Sequence, residues 1–415
     1  MRETVKNNCQ LLEEGEFSLP KGWEVKKLGE IGNIFNGNSI NAKVKKDKYL
    51  NLIDGFPYIA TKDVTYESTI DYNNGIKIPF KEKKFFKIAK KHTILICAEG
   101  GSAGRKICFT EQEVCFGNKL FALYPKVNIE NRFIYYYYFS STFQNDFKNH
   151  LTGIIGGVSM NKFKQLEVPM PPILEQKRIV AILEYTFKAI DQAKTNAEQN
   201  LKNAKELFES YLNRIFEEKG DDWEEKRLGE VCNIIGGGTP SKKNDEFYIG
   251  NIPWATVRDM KTDKIKDTEF KITSKAVLNS STNIIPKGNV IIATRVGLGK
   301  ICIIESNIAI NQDLKGIIPK ASKQLSVGFL FRWFKNISND IINEGTGATV
   351  QGVKLTFVNS LKIPLPKLET QKQIVAQLDQ LQTETKKLET IYQQKINNLV
   401  ELKKSILQKA FEGAL

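Results

Sequence analysis

The spacing of apolar positions changes along this chain, and the changes mark its elements. Two long stretches keep a helical period without a break. Steps of four and three residues from Gln176 land on Val180, Leu183, Phe187, Ile190, Lys194, Ala197, Leu201, Ala204, Phe208, Tyr211 and Ile215, and ten of these twelve positions are apolar. From Ile374 the same steps land on Leu378, Leu381, Thr385, Leu388, Tyr392, Lys395, Leu399, Leu402 and Ile406, eight of the ten apolar. A seam held over five or more heptads argues for a coiled coil; two ordinary long core helices are the alternative. Each stretch follows prolines, Val168-Pro169-Met170-Pro171-Pro172 in one case and Ile363-Pro364-Leu365-Pro366 in the other. No proline occurs between Pro172 and Pro240, and none after Pro366. Proline breaks regular structure, so each reads as a stop followed by one long helix. Two such helices in one chain can pair with each other without a second molecule.

Elsewhere the pattern is shorter. Thr93 to Cys97 and Asn289 to Ala293 are short apolar runs bounded by glycine and charge, which predicts strands. Phe133 to Phe139 and Phe329 to Phe334 are aromatic segments that read as a helix packed on that sheet. A stacking platform for single-stranded bases is the other reading of the tyrosines, and core packing is the better account.

These features occur twice. Gln176-Lys177-Arg178-Ile179-Val180-Ala181 returns as Gln371-Lys372-Gln373-Ile374-Val375-Ala376. Trp23 with Leu28-Gly29-Glu30 returns as Trp223 with Leu228-Gly229-Glu230, and Lys106-Ile107-Cys108 as Lys300-Ile301-Cys302. The offset drifts around 195 residues, so the order is kept while loops change length. That period far exceeds solenoid repeats and indicates duplication of a whole module. The resulting fold is α+β: two α/β domains separated by an antiparallel coiled coil of two long helices, with pseudo-two-fold symmetry. The boundaries expected are a leader over 1–18, a first domain over 19–171, a helical region over 172–217, a second domain over 218–366 and a second helical region over 367–415.

A chain of 415 residues suggests two or three domains. Its net charge of +14 points to an anionic partner, nucleic acid first, though a lysine-rich proteome gives the same charge. Cys9, Cys97, Cys108, Cys115, Cys232 and Cys302 form no C-x-x-C, and only His92 and His150 could assist them, which disfavours zinc. Scattered cysteines without a signal peptide predict reduced thiols in a cytoplasmic protein. No stretch approaches a membrane span of about 20 apolar residues.

Enzyme motifs fail one by one. Gly100 to Lys106 lacks the phosphate-loop spacing, and Asp267 to Lys271 resembles a nuclease fragment with no counterpart in the first repeat. The catalytic tetrapeptide of an adenine methyltransferase is missing. The chain reads as non-catalytic, with no metal.

Base readout needs hydrogen-bonding side chains on loops, with Lys and Arg nearby for phosphates. The candidates in the first domain are Thr61, Lys62, Arg105, Lys106, Asn118, Lys119, Thr152, Ser159 and Asn161. In the second they are Arg258, Arg295, Lys300, Asn311, Gln312, Thr349 and Gln351. Each could instead be a solvated surface charge or a turn. Asp63 and Asp259 read as caps that orient the bases beside them.

Taken together, the Leu19-Pro20-Lys21-Gly22-Trp23 start, the Pro-x-Pro-x-x-x-x-Gln-Lys-x-Ile-Val-Ala lead into each helix and the duplicated order resemble the specificity subunits of type I restriction-modification systems. The resemblance runs from about Leu19 to the C-terminus. It implies two target-recognition domains that each read one part of a bipartite site in double-stranded DNA. It also implies helices that set the spacer and dock two methyltransferase (modification) subunits, with Gln176, Lys177, Arg178, Gln371 and Lys372 at the docking face. Restriction subunits would join through that complex. AdoMet, ATP and Mg would belong to those partners, and this chain would hold no cofactor.

Overall fold

The computed structural model describes residues 19–153, 156–345 and 352–415. The leader over 1–18, and Thr349 and Gln351, lie outside the described residues. The chain divides into two compact units, Met1–Asn196 with Lys395–Leu415, and Ala197–Gln394.

The first unit is built on a four-stranded antiparallel sheet in the order Gly32–Asn36, Leu120–Pro125, Ile94–Cys97, Ile107–Phe109. Ile94–Cys97 is apolar throughout because both of its faces are covered. Ile94 and Ile96 face a core that includes Phe133, Tyr137, Tyr138 and Phe163. Leu95 and Cys97 face the other way, into a core with Ile59, Val114 and Phe116. That second core is closed by another four-stranded sheet, ordered Lys77–Ile78, Phe56–Ile59, Val114–Phe116, Ile88–Ala89, in which the middle pair runs parallel. The aromatic segment forms the helix Asn131–Tyr137, with Phe133, Ile134 and Tyr137 buried. Core packing therefore accounts for most of its rings.

The second unit repeats this plan. Its first sheet is ordered Cys232–Gly236, Leu314–Pro319, Val290–Ala293, Ile301–Ile304, Lys264–Ile265, and its second Phe270–Ile272, Ile252–Ala255, Ile308–Ile310, Asn283–Ile285. Val290 and Ile292 face the helix Val327–Asn336 and its Phe329, Leu330, Trp333 and Phe334, while Ile291 and Ala293 face the second sheet.

The shared landmarks have structural roles. Leu28–Ile31 and Leu228–Val231 are single helical turns in which Glu30 and Glu230 accept from the backbone N–H of Lys27 and Arg227 at 2.8 and 3.1 Å. That is half of a capping box. A Cβ on Gly29 would lie 3.2 Å from the Lys164 carbonyl, and one on Gly229 would lie 2.6 Å from the Asn359 side chain. A two-stranded ribbon, Glu24–Lys27 with Glu167–Met170 and Glu224–Arg227 with Lys362–Leu365, ties each domain start to its helix lead. Pro169 and Pro364 are tolerated there because a two-stranded ribbon leaves free outer edges.

The helices Ile173–Glu217 and Leu368–Phe411 run 45 and 44 residues. In the first unit they pair antiparallel: Arg178 donates to the Leu415 carbonyl, and thirteen residues on Asp191 meets Lys403 at 2.8 Å. In the second unit Phe216 packs on Phe329, near Ser326, which bonds Gln371, and Phe208 lies by Arg332, which reaches Asp379, again an antiparallel order. The expected seam holds through Val180, Leu183, Ile190, Ala197 and Ala204, then Ile374, Leu378 and Thr385, all buried. In the second helix it loosens from mid-length, where Leu388 is 38% exposed, and both helices drift at their C-terminal ends. Leu402 is 47% exposed, and Leu407, Ala410 and Phe411 are buried in its place. Leu212 and Phe216 take over likewise in the first helix. A straight helix slips about 20° per heptad against a 3.5 repeat, and these ends pack on a domain core rather than on a helix alone. No helix among the described residues is long and apolar enough to cross a membrane.

Candidate nucleic-acid interface

In the first unit four loops meet beyond the C-terminal ends of Phe56–Ile59 and Ile94–Cys97. The turn Thr61–Asp63 is fixed by Asp63, 7% exposed, whose carboxylate accepts from the Ala60 N–H at 2.8 Å. This cap holds Lys62 out in solvent. Lys106 reaches across from the next loop and donates to the Thr61 carbonyl at 2.9 Å. Arg105 and Lys106 both lie over the Tyr66 ring, 5.0 and 5.2 Å from its centre, a cation–π arrangement. Lys45 belongs to the same neighbourhood. Burial pushes its pKa below the ordinary lysine value, the Asp63 charge opposes this, and the Lys62 charge adds to it.

The glycine-rich loop joins at the other side. Thr152 and Gly157 exchange backbone hydrogen bonds at 2.9 and 3.0 Å, and the Gly100 N–H donates to Gly156 at 2.7 Å. Gly153 and Gly156 hold φ of +82° and +71°, conformations that favour glycine, and among the described residues nothing lies within 4 Å of an added Cβ. Lys119 pairs with Glu99 at 3.3 Å, and Asn118 beside it is exposed. Ser159 has another task. Its hydroxyl caps the helix Met160–Gln165 by accepting from the Lys162 N–H at 3.3 Å, leaving Asn161 exposed in the first turn.

The second unit builds the same place from different side chains. Asp259 accepts from the Thr256 N–H and hydroxyl at 2.8 and 3.0 Å and leaves Arg258 exposed. Lys300, matched to Lys106, donates to the Val257 carbonyl at 3.3 Å. Arg295 stands 3.8 Å from Asp313. Gln312 accepts from the Thr239 hydroxyl and is exposed. Asn311 is corrected by its surroundings. It is 5% exposed and bonds Asp313 at both ends of its amide, at 3.0 and 3.1 Å, so it shapes the loop rather than presenting an edge. Burial holds the Lys315 pKa below the ordinary value, with Asp313 opposing and Arg295 adding.

The helix starts need a correction too. Gln176 is 2% exposed; it donates to the Pro171 carbonyl at 2.8 Å and accepts from the Glu130 N–H at 2.9 Å. Gln371 is fully buried and donates to the Pro366 and Gln324 carbonyls at 2.9 and 2.8 Å while accepting from the Ser326 N–H at 2.9 Å. Both fasten the helix to its domain and cannot meet a partner. Lys177 and Lys372 are exposed, and Arg178 grips Glu175 through two bonds of 2.7 Å.

Each site offers donors, acceptors and positive charge on loops, the equipment for reading base edges and holding phosphates. Burial pushes the Cys115 and Cys232 thiols up to about 12, so they stay protonated and inert. Among the described residues no group of three or more His, Cys, Asp or Glu could hold a metal ion. Sequence reading missed Lys45, Tyr66, Glu99 and Asp313. The lysine-rich run Lys43 to Lys48 was a signal for the first; the acids carried none.

Comparison with known proteins gives these sites a context. The family model described as "Type I restriction modification DNA specificity domain" matches residues 20–203 and again 220–398. The Escherichia coli type I restriction enzyme EcoR124I/EcoR124II specificity subunit is 32% identical over 265 residues, 60% of this chain and 63% of the relative. A putative type I restriction enzyme MjaX specificity subunit from Methanocaldococcus jannaschii is 27% identical over 90% of this chain and 89% of its own length. In fold, the chain is similar to the HsdS subunit from Thermoanaerobacter tengcongensis, with TM-score 0.66 and 21% identity over 97% of this chain and 99% of that one. It is also similar to a chain solved under the heading of complex assembly and conformational transition of the type I R-M system, with TM-score 0.77 and 20% identity over 96% and 100%.

Proposed function

Because the chain belongs to the type I restriction-modification DNA specificity family, carrying its domain twice, we propose that it selects the DNA sequence on which a methyltransferase and endonuclease complex acts. Each unit reads one half of an asymmetric bipartite site in double-stranded DNA. The long helices set the unread spacer and dock two methyltransferase subunits, and restriction subunits join through that complex. The chain itself is non-catalytic and cytoplasmic, and AdoMet, ATP and Mg act on the partners.

The observation that carries this reading is the repetition of one loop-built site with different side chains. Thr61–Asp63 with Lys106 in the first unit matches Thr256 to Asp259 with Lys300 in the second, cap for cap and brace for brace. The exposed residues around those braces differ, as two unlike half-sites require. Lys177, Arg178 and Lys372 remain the docking candidates at the helix starts.

The test is to sequence methylated sites in cells carrying the methyltransferase with and without this chain. A two-part motif with a fixed spacer is expected only when the chain is present. Methylation or cleavage of DNA by the purified chain alone, with cofactors supplied, would sink the non-catalytic assignment.

A further inference from the structure

We propose that residues 99 and 295 are matched base-reading stations of opposite polarity, so that the two half-sites present opposite hydrogen-bonding edges at the matched base pair. This inference rests on the DNA-reading function proposed above.

The match comes from strand pairing. Cys97 sits opposite Leu120 in the first unit, and Ala293 sits opposite Leu314 in the second. Two residues beyond each strand end stand Glu99 and Arg295. Each makes an isolated bridge to a glycine much later in the chain, Glu99 to Gly157 and Arg295 to Gly352. A Cβ on Gly157 would lie 3.3 Å from the Glu99 Cγ, and one on Gly352 would lie 3.0 Å from the Arg295 Cγ. Both copies thus use glycine to make room for the side chain at this position, whichever side chain it is.

The residue just before each facing strand completes the pair. Lys119 lies 3.3 Å from Glu99, and Asp313 lies 3.8 Å from Arg295. The acid and the base have changed places. An arginine is donor-only and fits the O6 and N7 acceptors of guanine, whereas a carboxylate is acceptor-only and takes the amine of cytosine or adenine. The Arg295 side chain is 52% exposed and Asp313 only 16%, with Asn311 also bonded to Asp313 at 3.0 Å. Asp313 is therefore a positioning residue that aims Arg295. Glu99 and Lys119 are 43% and 50% exposed, so both face solvent. Exposed ion pairs contribute little to folding, so exchanging them for contacts with DNA forfeits little.

The test is selection from duplexes with randomised half-sites by the complex of this chain with its methyltransferase. The parent complex should prefer guanine at the Arg295 position and an amine-bearing base at the Glu99 position. Glu99→Arg combined with Lys119→Asp should turn the first position toward guanine by about tenfold or more and leave the second half-site unchanged. Arg295→Glu with Asp313→Lys should do the reverse. Glu99→Ala and Arg295→Ala, which demand less of the fold, should each relax preference at one base pair only. Soluble variants with unaltered melting that select the parental bases at both positions would overturn the station. A parent complex that selects no sequence would overturn the DNA-reading function itself, a separate result.

Discussion

The two units share a scaffold and diverge at its edges, and the divergence separates what holds the fold from what faces outward. Where the copies agree, the residue is structural. Gln176 and Gln371 bond the same carbonyl of the proline lead and a matched backbone N–H. Trp23 and Trp223 pack against the domain cores, and Glu30 and Glu230 cap the same turn. Where they disagree, either a compensation or, on the proposed function, a different target is at work. The aromatic helix is pinned to the long helix by Arg132 to Glu184 at 2.7 Å in the first unit and by Arg332 to Asp379 in the second. The arginines stand four positions apart in the common frame, so one tie has been made twice by different routes. At the Glu99 and Arg295 stations the ion pair is kept with its acid and base exchanged, so what changes is the charge each position presents.

The largest effect should follow from making the units identical. A chain in which residues 218–366 are replaced by residues 19–171 should direct methylation to two inverted copies of the first half-site. If the mapped motif kept its second half, that half would be read outside the exchanged region, and the two units would not be equivalent readers.

Next come the residues the copies share. Gln176→Ala removes the partner of one backbone N–H and one carbonyl, and Gln371→Ala the partner of one N–H and two carbonyls, which costs about 2–4 kcal/mol in each case. Thermal melting should fall by a similar amount for both. A large loss for one and none for the other would break the equivalence of the two helix starts.

The alternative ties should differ in worth. Arg332 is 5% exposed, lies beneath the rings of Phe208 and Phe331 at 5.4 and 5.5 Å, and also donates to Gln382 at 2.9 Å. Arg332→Ala should cost about 1–3 kcal/mol, mostly through lost packing and hydrogen bonds. The Arg132 and Glu184 side chains are 50% and 42% exposed. Arg132→Ala should therefore cost about 1 kcal/mol or less. Denaturant melts of the two variants under one condition decide it; equal losses would mean that burial of Arg332 adds nothing.

Much of this was legible in the sequence because it is periodic or local. The helices, their proline leads, the strands at Thr93 and Asn289 and the aspartate caps all follow from spacing within a few residues. The ribbon Glu24–Lys27 with Glu167–Met170 was not legible, because it pairs segments far apart in the chain and its first strand is exposed throughout, with no alternation to read. The roles of Gln176 and Gln371 were misread for a related reason. A polar residue at a helix start looks like a surface contact until the carbonyl it reaches is known. The acid–base exchange was hidden by loop length: the copies slip by two residues between the Glu99 and Lys119 positions, so no single offset aligns both pairs, and only the strand register does.

The smallest expected effect is the most informative about chemistry. Lys62 and Arg258 occupy the same place on the capped turn, and both are exposed. Lysine is a compact point charge suited to a phosphate, whereas arginine carries a planar fork that can also read guanine. Lys62→Ala should weaken binding of all duplexes alike and reduce the dependence of log affinity on log salt by about 1. The preferred first half-site should stay the same. Arg258→Ala distinguishes the two uses of the matched position. If Arg258 also holds a phosphate, its variant repeats the Lys62 result on the second unit. If it reads a base, one position of the second half-site relaxes as well, by about 1–3 kcal/mol. Titrations at several salt concentrations against parental and singly substituted duplexes separate these cases. A Lys62→Ala chain with an unaltered salt slope would remove that turn of the first unit from the DNA-facing surface.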